Sequence, residues 1–254
     1  MPERPAADAP LDLLAIGAHP DDVDISCGGT LAVAASQGYS TGILDLTRGE
    51  MGTNGTPEIR AAEAAEAAKI LSTKGRWNVG LPDGGINSHD AAQERRVVEW
   101  IRRLRPAIML NHFPEDRHPD HVQASRIVER AWYLAGLARY EAAGEPFRPK
   151  ARFYFASRVG FQPSFVVDVS AVHEIKHRAM LAHRSQVTQE NPGASPTQLN
   201  QPDFLERIDA RMKHYGGMIG VAYGEPFASD GPIGVRELSA IFGAPRPLPG
   251  AFTG

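Results

Sequence analysis

Four ionisable side chains, His19, Asp21, Asp22 and Asp24, crowd into Ala18-His-Pro-Asp-Asp-Val-Asp24, directly after the apolar run Leu11 to Gly17. Such crowding costs free energy unless the charges are paired or bind something. The apolar run reads as a buried strand and Gly28-Gly29-Thr30 opens a helical segment. The charged loop therefore sits at a strand's C-terminal end, the edge at which open α/β sheets bind ligands. A second apolar run, Ala107 to Leu110, leads into Asn111-His-Phe-Pro-Glu-Asp-Arg-His-Pro-Asp-His121, again a charged loop after a strand.

Around these loops apolar strands alternate with helical segments. That alternation predicts an α/β, Rossmann-like fold, a mostly parallel sheet with helices on both faces. Strand one is Leu11 to Gly17, its crossover helix Gly29 to Gly38, and strand two Ser40 to Leu46, ending at the glycine-rich loop Arg48 to Gly55. Thr56-Pro57 is a good N-cap with proline at the first helical position, and the Ala/Glu-rich run behind it predicts a helix to about Leu71. Strand three, Arg76 to Leu81, ends in the turn Pro82-Asp-Gly-Gly85. Helix Ala91 to Leu104, strand four at Ala107 to Leu110 and a helix from Asp120 to about Arg139 follow. Beyond Arg148 the pattern gives strands at Arg152 to Ala156 and Phe165 to Val169, a helix from Ser170 to His183, a loop from Arg184 to Gly193 and a helix from Pro202 to Met218. The ends, to Pro10 and from Gly243, read as extended tails of a single domain. A doubly wound order 3-2-1-4 would make strands one and four neighbours at the topological switch point, so both charged loops would flank one crevice.

Lys plus Arg number 27 against 30 Asp plus Glu, a net charge of -3 with no basic block, so no nucleic-acid or anionic-membrane partner is expected. The single Cys27 excludes an intramolecular disulfide and any multi-cysteine zinc module, which leaves His and carboxylate as metal ligands and points to a reducing cytoplasm. The polar, proline-rich N-terminus has no apolar core of a signal peptide, and no stretch approaches the roughly 18 apolar residues of a membrane span.

A hydrolytic metal site needs three protein ligands and an open position, and two His with one carboxylate is a common set. His19, Asp22 and His121 can supply it. Asp21 cannot easily turn to the same ion as its neighbour, which leaves it free to accept a proton, and His118 would face the same opening as an oxyanion stabiliser. Asp24 and Asp120 read as capping or supporting carboxylates, His112 as a group behind the site, and His89, His173, His177, His183 and His214 as ordinary histidines. Arg60, in a helix's first turn, is disfavoured there by roughly 0.3 to 1 kcal/mol. From the helix alone, an i,i+3 pair with Glu63 accounts for it. Serine-hydrolase, P-loop and dinucleotide fingerprints are missing from the sequence.

Ala18-His-Pro-Asp-Asp-Val-Asp24 with His118-Pro-Asp-His121 resembles the paired motifs of the LmbE/PIG-L-like metal-dependent deacetylases, which act on N-acetylglucosamine derivatives. Asp45 to Arg60, Leu81-Pro-Asp-Gly84, Pro163 to Asp168 and His183-Arg-Ser-Gln186 resemble the bacillithiol-pathway branch, the N-acetylglucosaminyl-malate deacetylases. The resemblance implies His19, Asp22 and His121 as ligands of Zn2+, with Fe2+ also suited. It implies Asp21 as general base, His118 as stabiliser of the tetrahedral intermediate, and Asp120 as support. It also implies that Arg60 meets the malate carboxylate, reversing the reading from the helix, with Glu50 and Asn54 of the same loop region as further substrate contacts. Asp24 stands where the family usually has Glu. The implied protein is a cytoplasmic homo-oligomer acting on a small N-acetyl-glucosaminide. The alternatives are a deacetylase of chitobiose-like sugars or thiol conjugates, and a non-catalytic sugar- or nucleotide-binding module with a structural metal, against which the intact Asp21 and His118 speak.

Overall fold

In the computed structural model, which describes residues 9–157, 159–188 and 194–234, strand β1 (Leu13–Gly17) is buried throughout. Its Leu13 and Ala15 pack into one apolar cluster, Leu14 and Ile16 into another. Two-sided burial of a continuous apolar run is the mark of an interior parallel strand. β1 pairs in parallel with β2 (Thr41–Thr47) and β4 (Ile108–His112), β2 with β3 (Gly75–Leu81), and β4 with β5 (Ala151–Phe155). The full sheet runs β3-β2-β1-β4-β5-β7-β6, with β6 at Phe165–Asp168 and β7 at Gly224–Ala228. The expected order 3-2-1-4 is therefore present, and β1 and β4 meet at the switch point.

Helices cover both faces. α3 (Ala91–Leu104) and α4 (Pro119–Ala135) pack Val97, Ile101, Ala124 and Ile127 into one cluster. The other face gathers Leu31 of α1 (Asp22–Ser36), Ala67 of α2 (Pro57–Ile70), Met180 of α5 (His173–Ala182) and Met212 of α7 (Phe204–Met218). Thr56 caps α2 by accepting the Ile59 N–H, as its sequence predicts. Among the described residues no helix is long and apolar enough to cross a membrane.

The structure corrects several boundaries. α1 starts at Asp22, inside the charged motif, rather than at Gly29, because Asp22 and Asp24 suit the positive end of a helix. Gly28-Gly29-Thr30 instead marks a kink: Cys27 has φ -142° and ψ 18°, which frees the next amides. Glu225 of β7 takes up the N–H groups of Gly29 and Thr30 and the Thr30 hydroxyl, and Lys176 of α5 neutralises it. Gly29 is required at this approach, since a Cβ there would lie 2.9 Å from both Glu225 and Val169. α4 stops at Ala135, short of Arg139, and the expected helix from Ser170 begins as a 3-10 turn (Ser170–Val172) before α5. Residues Arg184–Val187, expected as loop, form the short helix α6. β7 carries no strand signal, because Glu225 and Pro226 interrupt its five residues. The proline-rich end from Gly243 lies outside the described residues.

Candidate active site

The loop after β1 folds back on itself: the His19 N–H donates to Asp22 Oδ2 at 2.8 Å. This places the Asp22 carboxylate between two imidazoles, with His19 Nδ1 3.3 Å from Oδ2 and His121 Nε2 3.1 Å from Oδ1. His121 comes from the first turn of α4, and His118 is that helix's N-cap, its Nδ1 accepting the Asp120 N–H at 3.2 Å. The His118 ring stacks on His121 at 4.7 Å and meets His19 edge-on at 4.8 Å. Each of the three rings offers a nitrogen, and these lie within 4.8 Å of one another. The β1 and β4 loops thus converge, as adjacency at the switch point requires.

Two further carboxylates reach His19 Nε2, Asp83 at 3.0 Å and Asp120 at 3.4 Å. Both also brace loops: Asp83 accepts the Met51 N–H and Asp120 the Gly84 N–H. Burial opposes charge on His121, yet Asp22 and Asp116 outweigh it and carry its pKa up to about 9. His19 is raised in the same way against burial, by Asp120, Asp22 and Asp83. A pocket whose carboxylates draw protons onto imidazoles is electrostatically suited to a cation, and its N and O donors fit a divalent transition metal.

His112 also approaches Asp22, at 3.3 Å, and could be mistaken for a ligand. Both its nitrogens are already used: Nε2 accepts the Ala18 N–H at 3.0 Å and Nδ1 lies 2.9 Å from Ser157 Oγ. Burial, reinforced by the charge of His121, holds its pKa down to about 4, so it is a neutral prop behind Asp22.

Arg60 lines the cavity and makes contacts that helix spacing does not signal. Its Nη2 donates to Asp21 Oδ2 at 3.2 Å and its Nη1 to the Gly49 carbonyl at 2.9 Å, all buried. The i,i+3 pair with Glu63 does not form, because Glu63 accepts the Ser185 N–H and hydroxyl. Gly49, at φ +66°, is needed here: a Cβ would meet Arg60 Nη1 at 1.9 Å. Glu50 and Asn54, expected as substrate contacts, are committed elsewhere. Glu50 accepts the Asp83 and Arg48 N–H groups, and the Asn54 amide exchanges two hydrogen bonds with the Ser195 backbone. Neither lines the cavity.

Sequence reading overlooked the network beneath the motif. Asp24 is fully buried and takes Arg76 Nη1 at 2.9 Å and His183 Nε2 at 3.0 Å, while Arg76 also grips Asp45 through Nε and Nη2 at 2.7 and 3.0 Å. Burial alone would raise Asp24, but Arg76 and His183 hold it at about 2. These groups come from α1, β2, β3 and the junction between α5 and α6, and no local spacing signals their meeting. The cavity above them, about 580 Å³, is walled by α7 through Phe204, Arg207, Ile208 and Arg211, with Arg117 beside His118.

Residues 14–132 match the family model described as PIG-L: GlcNAc-PI de-N-acetylase. The chain is 30% identical over 244 residues to a 1D-myo-inositol 2-acetamido-2-deoxy-alpha-D-glucopyranoside deacetylase of Rhodococcus erythropolis, covering 72% of this chain and 83% of that protein. It is 30% identical over 247 residues to a diacetylchitobiose deacetylase of Thermococcus kodakarensis, covering 91% and 84%. The crystal structure of the conserved protein TT1542 from Thermus thermophilus superposes with a TM-score of 0.81 at 44% identity, over 89% of this chain and 97% of that one. Together with the paired His/Asp loops at the sheet's switch point, these similarities place the chain in the PIG-L (GlcNAc-PI de-N-acetylase) family, as a hydrolase of the deacetylase kind.

Proposed function

We propose that this chain hydrolyses the acetamide of an N-acetylglucosaminyl glycoside with an anionic aglycone, N-acetylglucosaminyl L-malate, releasing acetate and the free amine. The observation that carries the reading is the cavity lining, where Arg117, Arg207 and Arg211 stand beside the His/Asp cluster. Arg117 is exposed at the rim, with no hydrogen bond or ion pair among the described residues. A small carboxylate on the aglycone suits such a rim. With Arg60 committed to Asp21, Arg207 paired with Asp203 and Arg211 donating to the Ser157 carbonyl, we assign the aglycone contact to Arg117.

His19, Asp22 and His121 are the residues that would hold the metal, Zn2+ by preference, with Fe2+ also compatible with the donor set. Bound there, the ion supplies Lewis acidity, which lowers the pKa of water toward about 7 and polarises a carbonyl. Asp21, held by Arg60, takes the proton of the water that adds to the acetyl carbon, then returns it to the departing nitrogen. His118 donates to the oxyanion. Because its Nδ1 accepts the Asp120 N–H, the ring proton belongs on Nε2, and the neutral imidazole can donate. Burial, with His121 and His19 as neighbours, lowers its pKa and favours that neutral form. On this reading the enzyme works in the cytoplasm as a homo-oligomer, which light scattering would measure.

The relatives' names favour a second reading, a neutral partner sugar or inositol in place of malate. Acetate release by metal-loaded protein from the malate glycoside, the inositol glycoside, diacetylchitobiose and N-acetylglucosamine separates them. A preference for the malate compound, lost in Arg117→Ala, is expected. Equal or better turnover of the neutral glycosides would move the assignment to the second reading.

A further inference from the structure

Away from the cavity, α5 and α7 bring together three side chains with metal-ligating chemistry. His173 and His177 stand four residues apart on α5 and so share one face, and Asp209 of α7 lies against both. His173 Nε2 is 3.0 Å and His177 Nε2 2.7 Å from the same oxygen, Asp209 Oδ1. One ligand atom from each residue lies within 4.8 Å of the other two. The His173 ring is stacked on Tyr223 at 3.8 Å and 15°, which fixes its plane. The side chains are 13%, 19% and 23% exposed, drawn out of bulk water yet open on one side. The nearer ligand, His177, precedes His183 by six residues, about 9 Å at the rise of an α-helix, and the hydrogen bonds of the cluster run to Asp209 while His183 bonds Asp24, so the cluster is distinct from the network under the His/Asp motif.

We propose that His173, His177 and Asp209 form a second metal site, which takes a divalent transition metal such as Zn2+ and ties α5 to α7. Two imidazole nitrogens and one carboxylate suit Zn2+, Co2+, Ni2+ or Cu2+ and disfavour Mg2+ and Ca2+, which prefer all-oxygen sets. The solvent side leaves room for water to complete the coordination. The site also has a mechanical consequence. α7 supplies Phe204, Arg207, Ile208 and Arg211 to the cavity wall, so an ion at Asp209 fixes the helix that carries that wall.

The test is the number of zinc ions per full-length chain after equilibration with buffered Zn2+ and gel filtration. Wild type is expected to hold two, His177→Ala one, Asp22→Asn one, and the combined variant none. In the Asp22→Asn protein, Zn2+ at a hundredfold excess over Kd should raise Tm by roughly 5 to 10 °C, and this shift should vanish when His177→Ala is added. His173→Gln serves as a second variant, with far-UV circular dichroism to show that each protein is folded. If wild type and His177→Ala hold the same number of ions, or Asp22→Asn shows no zinc-dependent Tm shift, the cluster is a hydrogen-bonded clamp and the proposal is overturned. If His177→Ala loses an ion while Asp22→Asn loses none, the second site stands and the ligand assignment in the cavity fails instead.

Discussion

Arg76→Met removes the one cation that serves two buried carboxylates beneath the His/Asp motif. The Arg76 side chain is 5% exposed and makes a two-pronged contact to Asp45 and a further one to Asp24. Methionine fills much of the volume but neutralises nothing. Asp24 keeps His183, whereas Asp45 keeps no other side-chain partner among the described residues. Removing one member of a buried ion pair costs roughly 3 to 5 kcal/mol, chiefly because a charge is left without compensation. For a chain of this size that is a fall in Tm of roughly 6 to 20 °C. The assay is thermal unfolding at neutral pH in the presence of chelator, so that metal binding does not add to the native state's stability. Arg76→Met combined with Asp45→Asn should recover part of the loss, because one stranded charge is gone. A Tm within about 1 °C of wild type for Arg76→Met alone would mean that Arg76 does not neutralise Asp45 in the native state.

Other consequences are as open to measurement. Glu225→Gln weakens four contacts at the α1 kink and strands the Lys176 ammonium, so unfolding should be easier by roughly 3 kcal/mol or more in denaturant titration. Lys176→Met should cost less, since Glu225 keeps its three donors on α1. Arg60→Ala should lower kcat more than KM, because Arg60 positions Asp21; a change confined to KM would return Arg60 to the aglycone. The Ser40 N–H, helped by its hydroxyl, lowers Asp12 below its ordinary 3.8. A depressed carboxyl pKa stabilises the fold above the unfolded value and loses that contribution as pH falls through the folded one. The stability gap between wild type and Asp12→Asn should therefore close as pH drops below about 3.8, as parallel unfolding curves would show.

The readable part of the fold was the part written in local pattern. Apolar runs and their charged ends locate β1 and β4, and the doubly wound pattern, if adopted, makes them neighbours, which the order β3-β2-β1-β4 bears out. The same pattern places His19, Asp22, His118 and His121 at one sheet edge, where the structure brings them together. What stayed hidden depends on partners far along the chain. Gly28-Gly29-Thr30 looked like a helix start because the carboxylate that caps it, Glu225, sits in a strand with almost no strand character. Asp83 and His183 lie in Leu81-Pro-Asp-Gly84 and His183-Arg-Ser-Gln186, stretches that carry a family resemblance but name no partner, yet one reaches His19 and the other Asp24. Neither helix spacing nor resemblance reveals that the buried Arg60 guanidinium meets Asp21.

The proposed function rests on a division of labour between neighbouring carboxylates, Asp22 binding the ion and Asp21 moving the proton. It is tested most directly by acetate release from metal-loaded Asp21→Asn, with metal content measured on the same sample. One cavity-bound ion is expected to stay and turnover to fall by roughly 10²- to 10⁴-fold, the usual contribution of a general base. Asp21→Asn protein that keeps its metal and turns over at the wild-type rate would contradict it.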